Sequence, residues 1–243
     1  MRAPRLLLSL LFIAVALAVA AQPAAAQCRN VYKYVPYPPY GDLVLECGPT
    51  TPQKKAKPKP TAKPPTRAQL RALRYKPSAR VTRKVREDLV RRLATGPQAA
   101  AIAADIRAGN LLRQTNRPLR KARWSTSDLG DRYAQAFIGI WLVVNDKKTT
   151  SKAVDRAVRK QLKAQLARGK WRRCSDARQQ EYAERLSSWL VVIAGKRNGY
   201  RQAGLETQAD LWRYDANKVA RSSYLFGQNM FSVKLTRRGV VDD

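Results

Sequence analysis

Any catalysis by this chain has to proceed without histidine, because none occurs among its 243 residues. That excludes Ser-His-Asp and Cys-His catalysis in their usual forms, and the usual zinc catalytic sites. What remains is carboxylate chemistry, an unusual lysine base, or binding. Asp128/Asp131 and Glu181/Glu184 are three residues apart, and Glu206/Asp210 four apart, so each pair shares a helix face. Glycoside hydrolysis needs two carboxyls about 5–10 Å apart across a cleft. A carboxylate-dependent cell-wall hydrolase, with Glu181 or Glu184 as the acid, is therefore one reading. The structural reading competes with it. Asp128 and Asp131 suit a helix start, where negative charge complements the dipole. Glu181 stands four residues before Arg185, and Asp155 four before Arg159, as surface ion pairs usually do. No Gly-rich phosphate loop and no CxxC is present, so no cofactor and no metal site is expected.

The second kind of candidate is a binding surface. Trp124 sits in RKARWS beside Arg120, Lys121 and Arg123. Trp171 sits in GKWRRC, flanked by Lys170, Arg172 and Arg173. Aromatic rings among basic residues suit contact with a polyanion or an interface. The alternative is that each ring plugs a gap between helices while its basic neighbours stay in water. Trp141, Trp189 and Trp212 lie on apolar stripes and are expected in the core.

The charge balance favours binding. The chain carries 48 Lys+Arg against 17 Asp+Glu, a formal charge of +31. Such a chain is attracted to polyanions, and salt weakens the attraction. The competing explanation is that the excess of arginine reflects genome composition or habitat.

The N-terminus indicates where this charge acts. Arg2 and Arg5 precede an apolar run from Leu6 to Ala21, followed by Ala24 and Ala26 in A-x-A spacing before Gln27. This is the pattern of a secretory signal peptide over residues 1–26. The run is shorter than the roughly 20 residues a spanning helix needs, and no transmembrane segment is expected after cleavage. The chain is thus expected to be exported, periplasmic or secreted. The expected partner is an anionic envelope polymer or lipid surface: lipopolysaccharide, peptidoglycan or another wall polymer. Nucleic acid binding would be non-specific only, and a protein partner is the alternative.

Three cysteines are present, and exported thiols tend to be oxidised. Cys28 and Cys47 bracket a Tyr/Pro loop over residues 27–48, and their pairing is the first expectation. Pairing of Cys174 with either of them, or between two chains, stays open. Residues 49–66, PTTPQKKAKPKPTAKPPT, read as a disordered Lys/Pro linker, whose prolines and like charges favour extension.

One helical domain over residues 67–233 must carry these groups, followed by a tail over 234–243. Ser78 caps a helix to about Ala94, with Val81, Val85, Leu89 and Leu93 at spacing four and Thr95-Gly96-Pro97 as its stop. A short Ala-rich helix follows over about Gln98–Ala108. Residues 110–124, interrupted by Pro118, read as a connection. Ser125-Thr126-Ser127 offer caps for a helix through Tyr133–Val144 that is apolar nearly all round, which marks a central helix. Helix 151–168 turns Val154, Val158, Leu162 and Leu166 inward and Arg159 and Lys163 elsewhere. Further helices are expected over about Asp176–Ala194 and 200–222, with a short strand or ordered tail at the end. The segments YAQAFIGIWLVVND and YAERLSSWLVVIAG look alike, but the Tyr-to-Trp spacing differs between them. They read as two core helices of one bundle.

The run from Asp128 through YAQAFIGIWLVVN, then AVDRAVRKQL, a second long helix and a closing KLTRRG resembles a family of exported bacterial proteins grouped as a domain of unknown function. The resemblance covers roughly residues 120–240. It implies an all-helical exported domain and brings no catalytic residues. The fold expected is all-α: an irregular bundle of about five to six helices, with a small disulfide-stapled N-terminal loop and a Lys/Pro-rich linker.

Overall fold

The computed structural model describes residues 63–94, 99–222 and 225–242. The expected signal peptide over 1–26, the expected Cys28–Cys47 loop, the expected Thr95-Gly96-Pro97 stop and most of the expected linker lie outside the described residues. Within them, helix dominates and the only strands form one two-stranded hairpin, as expected of an all-α chain. The described helices number eight, more than the five to six anticipated. No described helix is long and apolar enough to cross a membrane.

The first helix, α1 (Arg67–Arg71), opens on a full capping box, with Thr66 and Gln69 each satisfying the other's backbone N–H. Next comes α2 (Ala79–Leu93). Ser78 stands at its N-cap, but its side chain makes no capping bond. Instead the Gln180 carboxamide brackets the Ser78 peptide, accepting from its N–H at 2.8 Å and donating to its carbonyl at 3.0 Å. Val85 and Leu89 bury against Ile106 of α3 (Ala99–Arg107) in a small satellite core.

Residues 110–121 are a helix, α4 (Asn110–Lys121), and not the connection that Pro118 implied. Proline removes one N–H and crowds the preceding turn, but burial of Thr115 and Leu119 outweighs that loss here. Gly109 sets up this helix in a left-handed conformation, φ 78°. A Cβ there would run into the Arg86 guanidinium, whose Nη1 donates to Arg107 O at 2.9 Å. Gly109→Ala should therefore cost about 1–2 kcal/mol, read as a lower urea midpoint at unchanged slope. An unchanged midpoint would refute the left-handed assignment.

Two helices form the centre. In α5 (Leu129–Val144), Asp128 is the N-cap and accepts from Gly130 N and Asp131 N; the serines before it do not cap. The longest helix, α7 (Asp176–Gln202), continues past Gly195 and Gly199, eight residues beyond the expected end. The chain breaks instead at Gly204, φ 71°. These two helices share the most extensive helix–helix interface in the fold. The rings of Tyr133 and Tyr182 approach to 6.5 Å where they cross. The look-alike segments are thus the two central helices of one core, which holds Phe137, Ile140, Leu186, Trp189 and Ile193.

Around them pack α6 (Lys152–Arg168), capped by Ser151, and α8 (Glu206–Arg221). Trp212 of α8 is buried and donates to Ile193 O at 2.9 Å. Trp141 is only half-buried. Its Nε1 donates to Val233 O at 2.7 Å, which ties α5 to the terminal hairpin of β1 (Val233–Thr236) and β2 (Gly239–Asp242). The strands pair antiparallel with Leu235 opposite Val240. Gln161 of α6 grips Val240 from both sides, accepting from its N–H at 2.6 Å and donating to its carbonyl at 3.1 Å.

Candidate polyanion-contact surface

The first basic cluster lies where α4 ends. Arg120 and Lys121 occupy its last turn, where the partial negative charge of the helix C-terminus favours cations. Arg123 follows in a left-handed conformation, φ 57°, which turns the chain so that Trp124 N donates back to Leu119 O at 2.8 Å. The Trp124 ring is half-buried and packs against the main core. The Arg159 guanidinium lies 5.2 Å from its centroid. That arginine is already committed, because it forks onto Asp131 at 2.7 and 2.9 Å.

The second cluster is a single 3₁₀ turn, Lys170–Arg173, directly after α6. Trp171 is stacked on Tyr182, centroids 4.3 Å apart and 14° from parallel. Its carbonyl accepts from Gln179 Nε2 at 3.0 Å. Tyr182 in turn donates to Leu225 O at 2.8 Å. Both tryptophans are therefore pinned from behind and hold their turns rigid.

The cations they carry face water. Arg120, Lys121, Arg123, Lys170 and Arg173 are exposed, while Arg172 is half-buried, with a buried Nε that has no hydrogen-bond partner. Among the described residues, no carboxylate pairs with any of them. The residues beneath the two clusters lie well apart along α6. Arg159, under the first, and Arg168, next to the second, are nine residues apart on α6, about 14 Å at 1.5 Å per residue. That exceeds the screening length of about 8 Å at physiological salt.

The carboxylates are engaged inside. Asp128 and Asp131 are each 1% exposed. Lys163 bonds both, at 2.6 and 3.1 Å, so it faces the interior and not the solvent as expected. Burial and the neighbouring Asp131 charge push the Asp128 carboxyl up. For Asp131, burial pushes upward too, but the Arg159 hydrogen bond, the Lys163 charge and the Ser125 amide together hold it below the usual carboxylate range. Asp155, the partner expected for Arg159, bonds Thr150 instead.

Glu181 and Glu184 are each 6% exposed. Glu181 does pair with Arg185, at 2.9 Å, but in the interior and not at the surface. Arg185 also holds Asp88 of α2 at 2.6 Å. Glu184 accepts from Thr82 at 2.8 Å and from Gln180 at 2.9 Å. Glu206 and Asp210 are exposed beside Arg201 and Arg213, at 3.5 and 3.6 Å. No carboxylate lines the groove between α4, α5 and α7 or the small pocket beneath α2 and α3. Each expected carboxylate pair thus has cations or donors for partners and no cleft between its members.

Sequence reasoning missed Arg132, 4% exposed on α5. It donates to Thr126 O at 2.9 Å, Ser187 Oγ at 3.0 Å and Asn116 Oδ1 at 2.7 Å, joining α4, α5 and α7. Its signal was a lone arginine in a helix apolar nearly all round. No family model matches the chain, and neither a curated protein nor a solved structure matches it.

Proposed function

We propose that this is an exported, non-enzymatic basic helical protein that associates with an anionic surface or polymer of the cell envelope. The observation that carries the reading is the division of charge. Asp88, Asp128, Asp131 and Glu181 are buried against Arg185, Arg159 and Lys163, while the cations of the two clusters have no acidic partner among the described residues. The outward surface is therefore more positive, relative to its own acids, than composition alone implies. Each cluster sits on a turn fixed by a packed tryptophan, so its cations project from a rigid base. The Lys/Pro linker adds charge that the same polyanion can follow. Phosphate-bearing lipopolysaccharide and anionic wall polymers have the required chemistry, and binding relies on counterion release.

Because Arg172 is partly built into the fold, the decisive variant reverses the two exposed residues, Lys170→Glu with Arg173→Glu. Retention on the anionic polymer should fall. On a duplex DNA reference column the slope of log K against log salt should shrink by about 2, at roughly 0.9 for each phosphate no longer neutralised. Unchanged retention and slope remove this turn from the binding surface. Wild-type titrations against lipopolysaccharide, peptidoglycan and duplex DNA, side by side, separate a chosen ligand from generic attraction. Binding to one that survives physiological salt supports the proposal. Equal binding to all three that vanishes by that salt overturns it.

A further inference from the structure

A groove of about 410 Å³ runs between α4, α5 and the C-terminal half of α7. That is the size range of sites that enclose a small ligand or a few peptide residues. No charged side chain lines it, in a chain with 48 Lys+Arg. Its polar groups are the carboxamides of Gln114, Gln135, Asn198 and Gln202, and Gly195 and Gly199 leave one wall bare. A Cβ on Gly199 would meet nothing within 4 Å. Gln135 donates to Thr115 O at 2.8 Å, but its own carbonyl oxygen is buried with no partner among the described residues. This chemistry does not attract a polyanion. It fits an uncharged segment that brings rings and hydrogen-bond donors.

The chain contains such a segment. Residues 31–45 read VYKYVPYPPYGDLVL, with Lys33 and Asp42 their only charges. We propose that the groove is the docking site for this Tyr/Pro segment of the same chain. Tyr32, Tyr34, Tyr37 and Tyr40 each offer a ring for the glycine wall and a hydroxyl donor for a carboxamide oxygen. Pro36, Pro38 and Pro39 bring no N–H that the groove would have to satisfy. Seventeen residues, 46–62, join this segment to Lys63. The described chain begins at Lys63, and Ala72 O is bonded by Gln179 on the first turn of α7. From Gln179 to Gly195 is about 24 Å along the helix. Fourteen residues in polyproline backbone would reach at most about 43 Å at 3.1 Å per residue.

Gly199→Leu in the full chain tests the proposal. Leucine has open space at that position and favours helix more than glycine, so the thermal midpoint should hold or rise. With the groove blocked, chymotrypsin should cut after Tyr32, Tyr34 and Tyr40 at least tenfold faster than in wild type. Equal rates overturn the proposal. A photo-crosslinking residue at Asn198 gives an independent arm should Gly199→Leu disturb the fold. Crosslinks to residues 31–45 within one chain support it. Crosslinks elsewhere, to a second chain, or to nothing overturn it.

Discussion

Arg185→Met lowers the unfolding free energy by about 3–5 kcal/mol, the range seen when one member of a buried ion pair is removed. Arg185 is 6% exposed and holds Asp88 and Glu181 together at the α2–α7 interface. Methionine fills much the same volume but leaves two carboxylates in an interior that disfavours charge. Their other partners are poor substitutes. Lys84 reaches Glu181 at 3.3 Å and Arg92 reaches Asp88 at 3.2 Å, and both approach from the solvent side. The control is the combined Arg185→Met, Asp88→Leu, Glu181→Leu variant. If the loss comes from unpaired charge, replacing the whole group by apolar residues recovers most of it. Urea melts of the two variants decide the matter. A single substitution costing under about 0.5 kcal/mol, or a triple variant no better than the single, would show that the seam does not hold α2 in place.

Asp131→Asn should be almost as costly at neutral pH, and it should also change the acid limb of the stability curve. The Asp131 carboxyl is held below its ordinary value in the folded state despite burial, by the Arg159 hydrogen bond, Lys163 and the Ser125 amide. A depressed acid contributes stability that is present above its unfolded value, near 3.9. That stability is lost as pH falls through the folded value. Asp128 works in the opposite sense. Burial and the Asp131 charge raise it, so its ionisation costs stability, and that cost is relieved as pH falls through the raised value. Wild type should therefore show a shallow region just above the ordinary carboxylate value, where relief of the Asp128 cost offsets other losses, and a steep loss below that value as Asp131 is protonated. In Asp131→Asn the steep limb should flatten. Urea midpoints from pH 2 to 7 measure this, and parallel limbs for the two proteins would sink the assignment.

The parts of the fold legible in sequence are those where local signals agree. For α6, the expected bounds of 151–168 and the spacing-four stripe coincide with the structure, where Val158, Leu162 and Leu166 are buried. For α4 they conflict, because Pro118 reads as a breaker and the burial of Leu119 that outweighs it is invisible locally. The expected end of α7 at Ala194 also fell short, since the helix runs on to Gln202. The interior charges were hidden more deeply. Glu181 and Arg185 were paired correctly by spacing and still placed on the wrong side, since nothing local says that α2 and α4 cover that face. Thr82 and Glu184 meet across 102 positions of sequence. The basic clusters were legible as composition. That their tryptophans brace the turns depends on partners such as Tyr182 and Arg159, which only the fold brings near.

The terminal hairpin bears on the order in which the protein folds. Trp141 is 92 positions from its acceptor at Val233, and Gln161 is 79 from Val240. Pairings so distant in sequence form late, because the chain must close a long loop before they stabilise anything. During synthesis α5 and α6 emerge well before the strands that cover them. Until then the indole of Trp141 and the carboxamide of Gln161 lack these partners, and the nascent domain stays partly open. A chain that completes this packing only when these two strands arrive keeps one side of its α5–α6 pair uncovered until then, so the hairpin acts as the latch that closes the domain last.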